Sequence, residues 1–264
     1  MIPKIIHYCW IGGAPLPELE KKCIESWKKC CPDYEIKEWN ESNYDFTQNV
    51  YMKEAYEAKK WGFVPDYARL DIIYRYGGFY LDTDVELLKS LDPFCTEKFY
   101  MGCEAREAVS PGLGFGAEQG TPLLKEMMDS IYGDRHFICK DGSLDVTPSP
   151  RLNTNFLREK GLRLDGSIEK LDCGMTIYPA EYFAPKDFKT GQVVLTDKTY
   201  SIHHYDASWM EPEDKQVLRI KWAMEKYKGV GKIVTYTSTK LLGLKRHLRM
   251  QGLQGTIQYI RDKR

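Results

Sequence analysis

The chain has 264 residues, a formal net charge of zero and 42% hydrophobic residues, which is enough to bury the core of one large α/β domain. It has no run of 18 apolar residues, which excludes a transmembrane helix, and its charged, strand-like start does not resemble a signal peptide. Eight cysteines lie without Cys-x-x-Cys pairs, so we expect reduced thiols, no zinc site and a cytoplasmic protein.

Strands and helices alternate along most of the chain, and this order predicts an α/β fold with a mostly parallel central sheet. The predicted strands are 2–8, 34–39 and 79–81, and the predicted helices are 17–29, 51–60, 62–76, 123–131 and 153–160. Residues 40–49 are polar and loop-like. Residues 134–150 form an irregular stretch that is long for a compact domain, which makes it a candidate functional loop.

The charges are distributed unevenly. Residues 215–264 contain 13 Lys and Arg against Glu225 and Asp262, so this tail carries +11 and residues 1–214 carry −11. We therefore predict a domain over 1–214 and a basic helical extension over 215–264. Bases interleave with leucines over 241–250, a pattern typical of a helix on a membrane surface; a solvated helix packed on the acidic domain, or disorder, is the alternative. Aromatic residues are too sparse there for nucleic acid.

The most informative segment places Asp82 and Asp84 directly after the short apolar strand 79–81. Open α/β sheets bind ligands at the carboxyl ends of their strands, and two carboxylates one residue apart point the same way from the pleat. Together they can hold a hard divalent cation and leave coordination positions open for a phosphate. An Asp-x-Asp pair taken alone is also consistent with a solvated turn.

The helix that precedes this strand carries Asp66 and Arg69, three residues apart and therefore on one face. A carboxylate beside a guanidinium offers a hydrogen-bond acceptor and several donors at once, as polyol recognition requires. The alternative is a surface ion pair of little energetic consequence.

Four segments together resemble the glycosyltransferases that share a sugar-binding region containing an Asp-x-Asp motif. This group includes bacterial capsular and cell-surface polysaccharide transferases, yeast mannosyltransferases and, more distantly, clostridial glucosylating toxins. The segments are 2–10 (IPKIIHYCW), 66–86, 110–117 (SPGLGFGA) and 203–209 (HHYDASW). The resemblance covers roughly residues 1–210 and implies a GT-A type nucleotide-sugar fold, with 134–150 as a candidate acceptor loop.

The resemblance also implies roles for residues. Asp84 would be the more direct metal ligand, Asp82 would contact the ribose or the metal, and Mn²⁺ or Mg²⁺ would be the cofactor. Further metal ligands would come from the late segment, which offers His203, His204 and Ser208. The sequence leaves open which histidine binds the metal, and both could form a surface pair.

Asp66 and Arg69 match the residues that grip the donor sugar in the toxin-like relatives, so together with Asp82 and Asp84 they form the predicted catalytic set. The other predicted donor-binding residues are Trp10, which would stack on the nucleobase, Tyr80, Gly114, Ser208 and Trp209. Two alternatives stay open: Trp10 as a core residue, and the glycine-rich segment as a plain strand with a bulge.

We therefore expect metal-dependent transfer of a sugar from a nucleoside-diphosphate sugar, with a UDP-hexose as the donor. The acceptor would be a glycan or a lipid-linked oligosaccharide in surface polysaccharide synthesis, and the anomeric configuration would be retained. The alternatives are a haloacid-dehalogenase-type phosphohydrolase, with Asp82 as nucleophile, and a non-catalytic sugar-binding subunit. The phosphohydrolase requires its motif in the first strand and a second pair of acids after a later Gly-Asp. In this chain a strand and a helix precede the motif, and Gly133-Asp134 lacks the trailing acid.

Overall fold

The computed structural model describes residues 1–104, 108–208 and 210–262, and the chain divides into two compact units. The first comprises Met1–Lys186 with Val194–Asp206, and the second comprises Asp187–Val193 with Ala207–Arg264. The domain boundary predicted at residue 214 stays a prediction.

The first unit is built on a seven-stranded sheet. Its strands are β1 (Ile5–Cys9), β2 (Glu35–Trp39), β3 (Gly78–Tyr80), β5 (Phe99–Glu104), β6 (Ala108–Ala117), β7 (Glu169–Lys170) and β8 (Thr176–Tyr178), while β4 (Val85–Leu87) and β9 (Ser201–His203) form a separate antiparallel pair. The order across the sheet is β2-β1-β3-β6-β5-β8-β7, and all of these strands except β6 and β7 run in one direction. The predicted α/β class with a mostly parallel sheet is confirmed.

Helices cover both faces of this sheet. They are α1 (Glu18–Cys30), α2 (Val50–Glu57), α3 (Pro65–Tyr76), α4 (Pro122–Tyr132), α5 (Ser149–Glu159) and α6 (Ala180–Phe183). Residues of α2, α3, α4 and α5 contribute to one buried apolar cluster, whereas residues of α1 and α6 contribute to another. Strands β1 and β3 are enclosed between these layers, so a residue that leaves their carboxyl ends emerges at one edge of a packed core.

Most predicted elements are confirmed to within a few residues, but two differ. Helix α5 begins at Ser149 rather than at residue 153, because Pro150 fits the first turn of a helix, where no N–H is needed. The glycine-rich residues 112–116, for which a loop is the alternative to a strand, are part of strand β6, and the pairing of β5 with β6 shifts register between Met101 and Gly102. The alternative of a strand with a bulge is therefore confirmed.

The second unit consists mainly of α7 (Pro212–Met224) and α8 (Lys228–Asp262), with a break in α8 at Gly252, where φ is 67°. The predicted helical character of the tail is confirmed. Arg246 Nη1 lies 2.8 Å from Asp214 Oδ2, so part of the basic charge of α8 is paired with acidic residues of α7. With 14 bases and 6 acids the unit still carries +8. No helix in the described part of the chain combines the length and apolar character that crossing a membrane would require.

Candidate metal and sugar site

Two glycines set the approach to the Asp-x-Asp segment. Gly77 ends helix α3 with φ 64°, and Gly78 starts β3 with φ 102°, a backbone region that other residues rarely adopt. A Cβ on Gly78 would lie 2.7 Å from the carbonyl oxygen of Ile5, so this turn also lets β3 pack closely beside β1. Beyond the strand, the N–H of Asp82 donates to the carbonyl of Gly112 at 3.1 Å. Asp82 is thus held at the carboxyl edge of the sheet.

Three potential metal ligands meet at this edge. Asp82, Asp84 and His203 each offer a ligand atom, and these atoms all lie within 4.8 Å of one another. His203 Nε2 is 3.2 Å from Asp84 Oδ1. The two aspartates and the histidine are about 120 residues apart in sequence, and the antiparallel pairing of β4 with β9 brings them together by aligning Val85 with His203.

The two histidines are separated by the same pairing. Adjacent residues of a strand face opposite sides, and His204 Nε2 lies 2.8 Å from Glu86 Oε2 rather than beside the aspartates. His204 contributes its backbone instead, since its N–H donates to the carbonyl of Asp84 at 3.0 Å. Of the two predicted histidines, the structure brings His203 to the Asp-x-Asp pair.

The residues after β9 hold Asp84 in place. The N–H of Asp206 donates to Asp84 Oδ2 at 2.7 Å, and Tyr205, whose φ is 56°, adopts the left-handed conformation that makes this turn possible. The ring of Tyr205 lies 4.2 Å from that of His203. A non-glycine residue in this conformation costs energy and is often found at functional sites.

Asp84 and His203 stabilise each other's charged forms. Burial alone would raise the pKa of Asp84, but the attraction of His203 and hydrogen bonds to the carboxylate lower that pKa to about 2. Burial likewise disfavours the charged form of His203, but Asp84 outweighs it and raises the pKa of the imidazole. A cationic group is therefore favoured between these two aspartates.

Asp66 and Arg69 lie in helix α3 and border the same cluster. They are 4% and 5% exposed, so the alternative of a surface ion pair is wrong. Arg69 Nη2 lies 3.3 Å from Asp66 Oδ1 and 3.4 Å from Asp82 Oδ1. The guanidinium is fixed by donation from Nε to the carbonyl of Pro65 at 2.9 Å and by the ring of Tyr80, whose centroid is 5.2 Å from Cζ. Arg69 thus links the predicted sugar-binding carboxylate to the predicted metal ligand.

The buried environment of Asp66 disfavours the charged form of its carboxyl group. Burial raises the pKa of its carboxyl group to about 6, although Arg69 and a hydrogen bond from Ser149 oppose the shift. Buried acids with raised pKa values concentrate at functional sites. Ser149, the first residue of α5, was not among the predicted site residues, because only the fold brings it next to Asp66.

The other predicted residues have mixed placements. Trp10 follows β1 and donates from Nε1 to the carbonyl of Ala14 at 2.6 Å. A Cβ on Gly114 would lie 3.0 Å from Leu81 Cδ2, whereas one on Gly112 would lie 2.1 Å from Asp82 Oδ2; Gly112, rather than Gly114, therefore permits the close approach to the site.

Two predicted residues fall outside the described part of the first unit. Ser208 belongs to the second unit, and Trp209 lies outside the described residues. Their proposed contacts with the donor or the metal stay predictions.

Comparisons with known proteins agree with the motifs. Residues 17–100 match the family described as "Glycosyltransferase sugar-binding region containing DXD motif". Inositol phosphoceramide mannosyltransferase 3 of Schizosaccharomyces pombe is 30% identical over 137 residues, which cover 49% of this chain and 37% of that protein. Inositol phosphoceramide mannosyltransferase 1 of the same yeast is 27% identical over 149 residues, 52% of this chain and 45% of that protein. The chain therefore spans less than half the length of these curated relatives.

Two solved structures are also similar. The PaToxG glycosyltransferase is 20% identical, with a TM-score of 0.45 over 60% of this chain and 69% of that one. A glycosyltransferase involved in the glycosylation of the major capsid of PBCV-1 is 10% identical, with a TM-score of 0.42 over 82% of this chain and 100% of that one. The family match over residues 17–100 includes Asp66, Arg69, Asp82 and Asp84, and it agrees with the resemblance that the motifs indicated.

Proposed function

We propose that the chain is a metal-dependent glycosyltransferase that moves a hexose from a nucleoside-diphosphate sugar, a UDP-hexose, to a hydroxyl of a glycan or lipid-linked acceptor. One observation carries this proposal: Asp82, Asp84 and His203 converge within 4.8 Å directly beside a buried Asp66/Arg69 pair. The diphosphate of a nucleotide-sugar donor requires the metal ligands, and the sugar of the same donor requires the neighbouring acid and base.

The three converging residues fit a divalent cation. They supply two carboxylates and one imidazole, a set that suits Mn²⁺ and also accommodates Mg²⁺. His203 Nδ1 is buried and makes no hydrogen bond with any residue in the described part of the chain, and glycine at position 112 leaves room around Asp82 Oδ2. When bound, the cation supplies Lewis-acid stabilisation of the negative charge that develops on the departing diphosphate.

Asp66 and Arg69 perform the sugar-binding part of the proposed reaction. The Asp66 carboxylate accepts hydrogen bonds from sugar hydroxyls, and Arg69 donates to an oxygen while its charge holds Asp66 and Asp82 at fixed positions. Exclusion of water from these nearly buried groups strengthens each contact and disfavours hydrolysis of the donor. The family resemblance implies that the transfer retains the anomeric configuration of the sugar.

We propose a lipid-linked acceptor and a site of action at the cytoplasmic face of an anionic membrane, within surface polysaccharide synthesis. The two curated relatives are named inositol phosphoceramide mannosyltransferases, which supports a hexosyl donor and a lipid acceptor. Helix α8 adds a second reason, because it exposes large apolar side chains, including Ile233 at 67% and Leu241 at 63%, in a unit of charge +8. Apolar anchors beside lysines and arginines are the composition of an interfacial helix.

The catalytic proposal is tested by incubating the protein with a panel of nucleotide sugars and following release of the nucleoside diphosphate. We expect release from one donor with Mn²⁺, and loss of it in EDTA. Release that is equally fast in EDTA would contradict the metal-dependent mechanism. Turnover of p-nitrophenyl phosphate without any nucleotide-sugar activity would instead favour the phosphohydrolase, and tight donor binding without turnover would favour the sugar-binding subunit.

The membrane proposal is tested with phosphatidylserine-rich vesicles at low and high salt. Replacement of Ile233 and Leu241 by Glu should reduce co-sedimentation. The matched control replaces Val194 and Leu195, which are 67% and 55% exposed in the first unit, by Glu and should not reduce it. Truncation after Tyr236 should likewise weaken binding while donor hydrolysis persists. Equal vesicle binding by all these proteins would contradict the membrane proposal and support the alternative that α8 is a solvated helix.

A further inference from the structure

Four buried polar atoms near Asp66 make no hydrogen bond with any residue that the structure describes. They are the hydroxyl oxygens of Tyr51 and Tyr132, Nε of Arg135 and Oδ1 of Asn153. Buried polar groups in native proteins are almost always paired, and an unpaired one requires an explanation such as a ligand. Four such atoms in one region would all be satisfied by a single polar ligand bound among them.

The fold brings these atoms around the sugar-binding pair from several directions. Tyr51 lies in α2 and Tyr132 ends α4, and their ring centroids are 5.1 Å apart. Arg135 Nη2 lies 2.5 Å from Asp145 Oδ2 in the irregular segment that follows α4. The charge of Asp66 acts on both tyrosines and raises the pKa of each, second only to the effect of burial, which places these phenols close to that carboxylate.

Helix α5 completes this set. The hydroxyl of Ser149 donates to Asp66, and Nδ2 of Asn153 donates to the carbonyl of Ser149 at 2.6 Å. The amide oxygen of Asn153 is thereby left as an acceptor one helical turn from Ser149, the residue of α5 that contacts Asp66. We name Tyr51, Tyr132, Arg135, Asp145 and Asn153 the hydroxyl cluster.

The chemistry of the hydroxyl cluster matches a neutral polyol. Each phenol both donates and accepts a hydrogen bond, Arg135 Nε donates, and Asn153 Oδ1 accepts, while each hydroxyl of a sugar ring does both. The charges within the hydroxyl cluster cancel, because Arg135 pairs with Asp145. An anionic uronic acid or a cationic amino sugar would leave one charge uncompensated in a buried region.

We propose that the hydroxyl cluster binds the hydroxyl groups of a neutral donor hexose on the part of the ring remote from the diphosphate, and so determines which sugar is transferred. This inference rests on the proposed function. Asp66, Arg69 and Asp84 are no more than 8% exposed, and Tyr51, Tyr132 and Asn153 are fully buried, so binding of the donor requires side chains around both groups to move. The Arg135–Asp145 pair, whose side chains are 25% and 18% exposed, lies at the solvent side.

The test replaces single hydroxyl groups while keeping ring shape. Tyr51→Phe and Tyr132→Phe each remove one phenolic oxygen of the cluster. Tyr100→Phe is the matched control, because its hydroxyl is also buried without a partner in the described chain, but its ring packs in the other apolar cluster, against Phe94. For each variant we would measure kcat/KM with the donor found in the nucleotide-sugar panel, Kd for the corresponding nucleoside diphosphate with Mn²⁺, and Tm.

We expect Tyr51→Phe and Tyr132→Phe to lower kcat/KM for the nucleotide sugar by about 10-fold to 100-fold, the effect of leaving one buried hydroxyl of the sugar without its hydrogen-bond partner. Nucleoside diphosphate affinity should not change. With the wild type, a deoxy donor that lacks the contacted hydroxyl should show the same decrease in kcat/KM. With the variant, this deoxy donor should show no further decrease relative to the complete donor. Tyr100→Phe should leave turnover unchanged.

If all three variants kept wild-type kcat/KM, or differed only in Tm, the cluster would have a purely structural role and the inference would be wrong. A wild-type protein that bound the nucleoside diphosphate with Mn²⁺ and turned over its sugar would, in that case, leave the proposed function intact. A wild type that bound neither nucleoside diphosphates nor nucleotide sugars would overturn the proposed function and this inference with it.

Discussion

Replacing Asp66 by Asn should make the protein more stable and less active. The carboxyl group of Asp66 has a pKa of about 6 in the fold, against 3.8 for an ordinary aspartate. A raised pKa means that the folded state holds the neutral form more readily than the unfolded state does, so ionisation of Asp66 destabilises the fold. Asn resembles the neutral acid in shape and cannot ionise.

The magnitude follows from the size of the shift. About two pKa units at ~1.4 kcal/mol each correspond to roughly 3 kcal/mol, and this penalty is complete above the folded pKa. We therefore expect Asp66→Asn to gain about 3 kcal/mol of unfolding free energy at pH 8 and about half of that at pH 5, where most of the folded wild type is already protonated. For a domain of this size the gain at pH 8 corresponds to a rise in Tm of roughly 6–12 °C.

Urea unfolding followed by tryptophan fluorescence at both pH values measures this difference. The control is Asp45→Asn, because Asp45 is exposed and hydrogen bonds from Thr47 lower its pKa, so that its replacement should give no gain at pH 8. Sugar transfer by Asp66→Asn should fall sharply, since the amide is not a charged acceptor. A variant that is no more stable than wild type at pH 8, or equally stabilised at both pH values, would refute the reasoning.

Three further outcomes are expected. Asp84→Asn should abolish transfer and weaken Mn²⁺ binding while circular dichroism stays native, because it removes an ionic ligand rather than a packed side chain; full transfer by the folded variant would contradict this. Gly112→Ala should lower both Tm and transfer, because its Cβ would lie 2.1 Å from Asp82 Oδ2. Gly243→Ala, with nothing within 4 Å of its Cβ, is the control and should lower neither, since alanine in the interior of α8 stabilises the helix. Burial lowers the pKa of the His7 imidazole from 6.5 to about 4, so the fold favours the neutral ring. The free energy of unfolding should therefore fall by about 3 kcal/mol as the pH decreases from above 6.5 towards 4. An NMR titration of His7 that gave an ordinary pKa would contradict this.

The sequence alone located the core of the candidate site, because the information there is local. Asp66 and Arg69 are one helical turn apart, and Asp82 and Asp84 follow a strand that the apolar run 79–81 predicts. Periodicity of three to four residues in a helix and of two in a strand decides which of these side chains share a face. The helix, the turn at Gly77 and the strand therefore followed from consecutive residues.

The tertiary structure decided what depends on distant parts of the chain. The pairing of β4 with β9 selects His203 over His204, since a shift of one residue in register would exchange their faces. The antiparallel strand β6 places Gly112 against Asp82. The residues that surround Asp66, among them Tyr132 and Ser149, come from helices whose apolar faces predict burial but not which neighbours they meet. Spacing along the chain cannot determine such contacts, because packing of the whole core determines which helix faces meet.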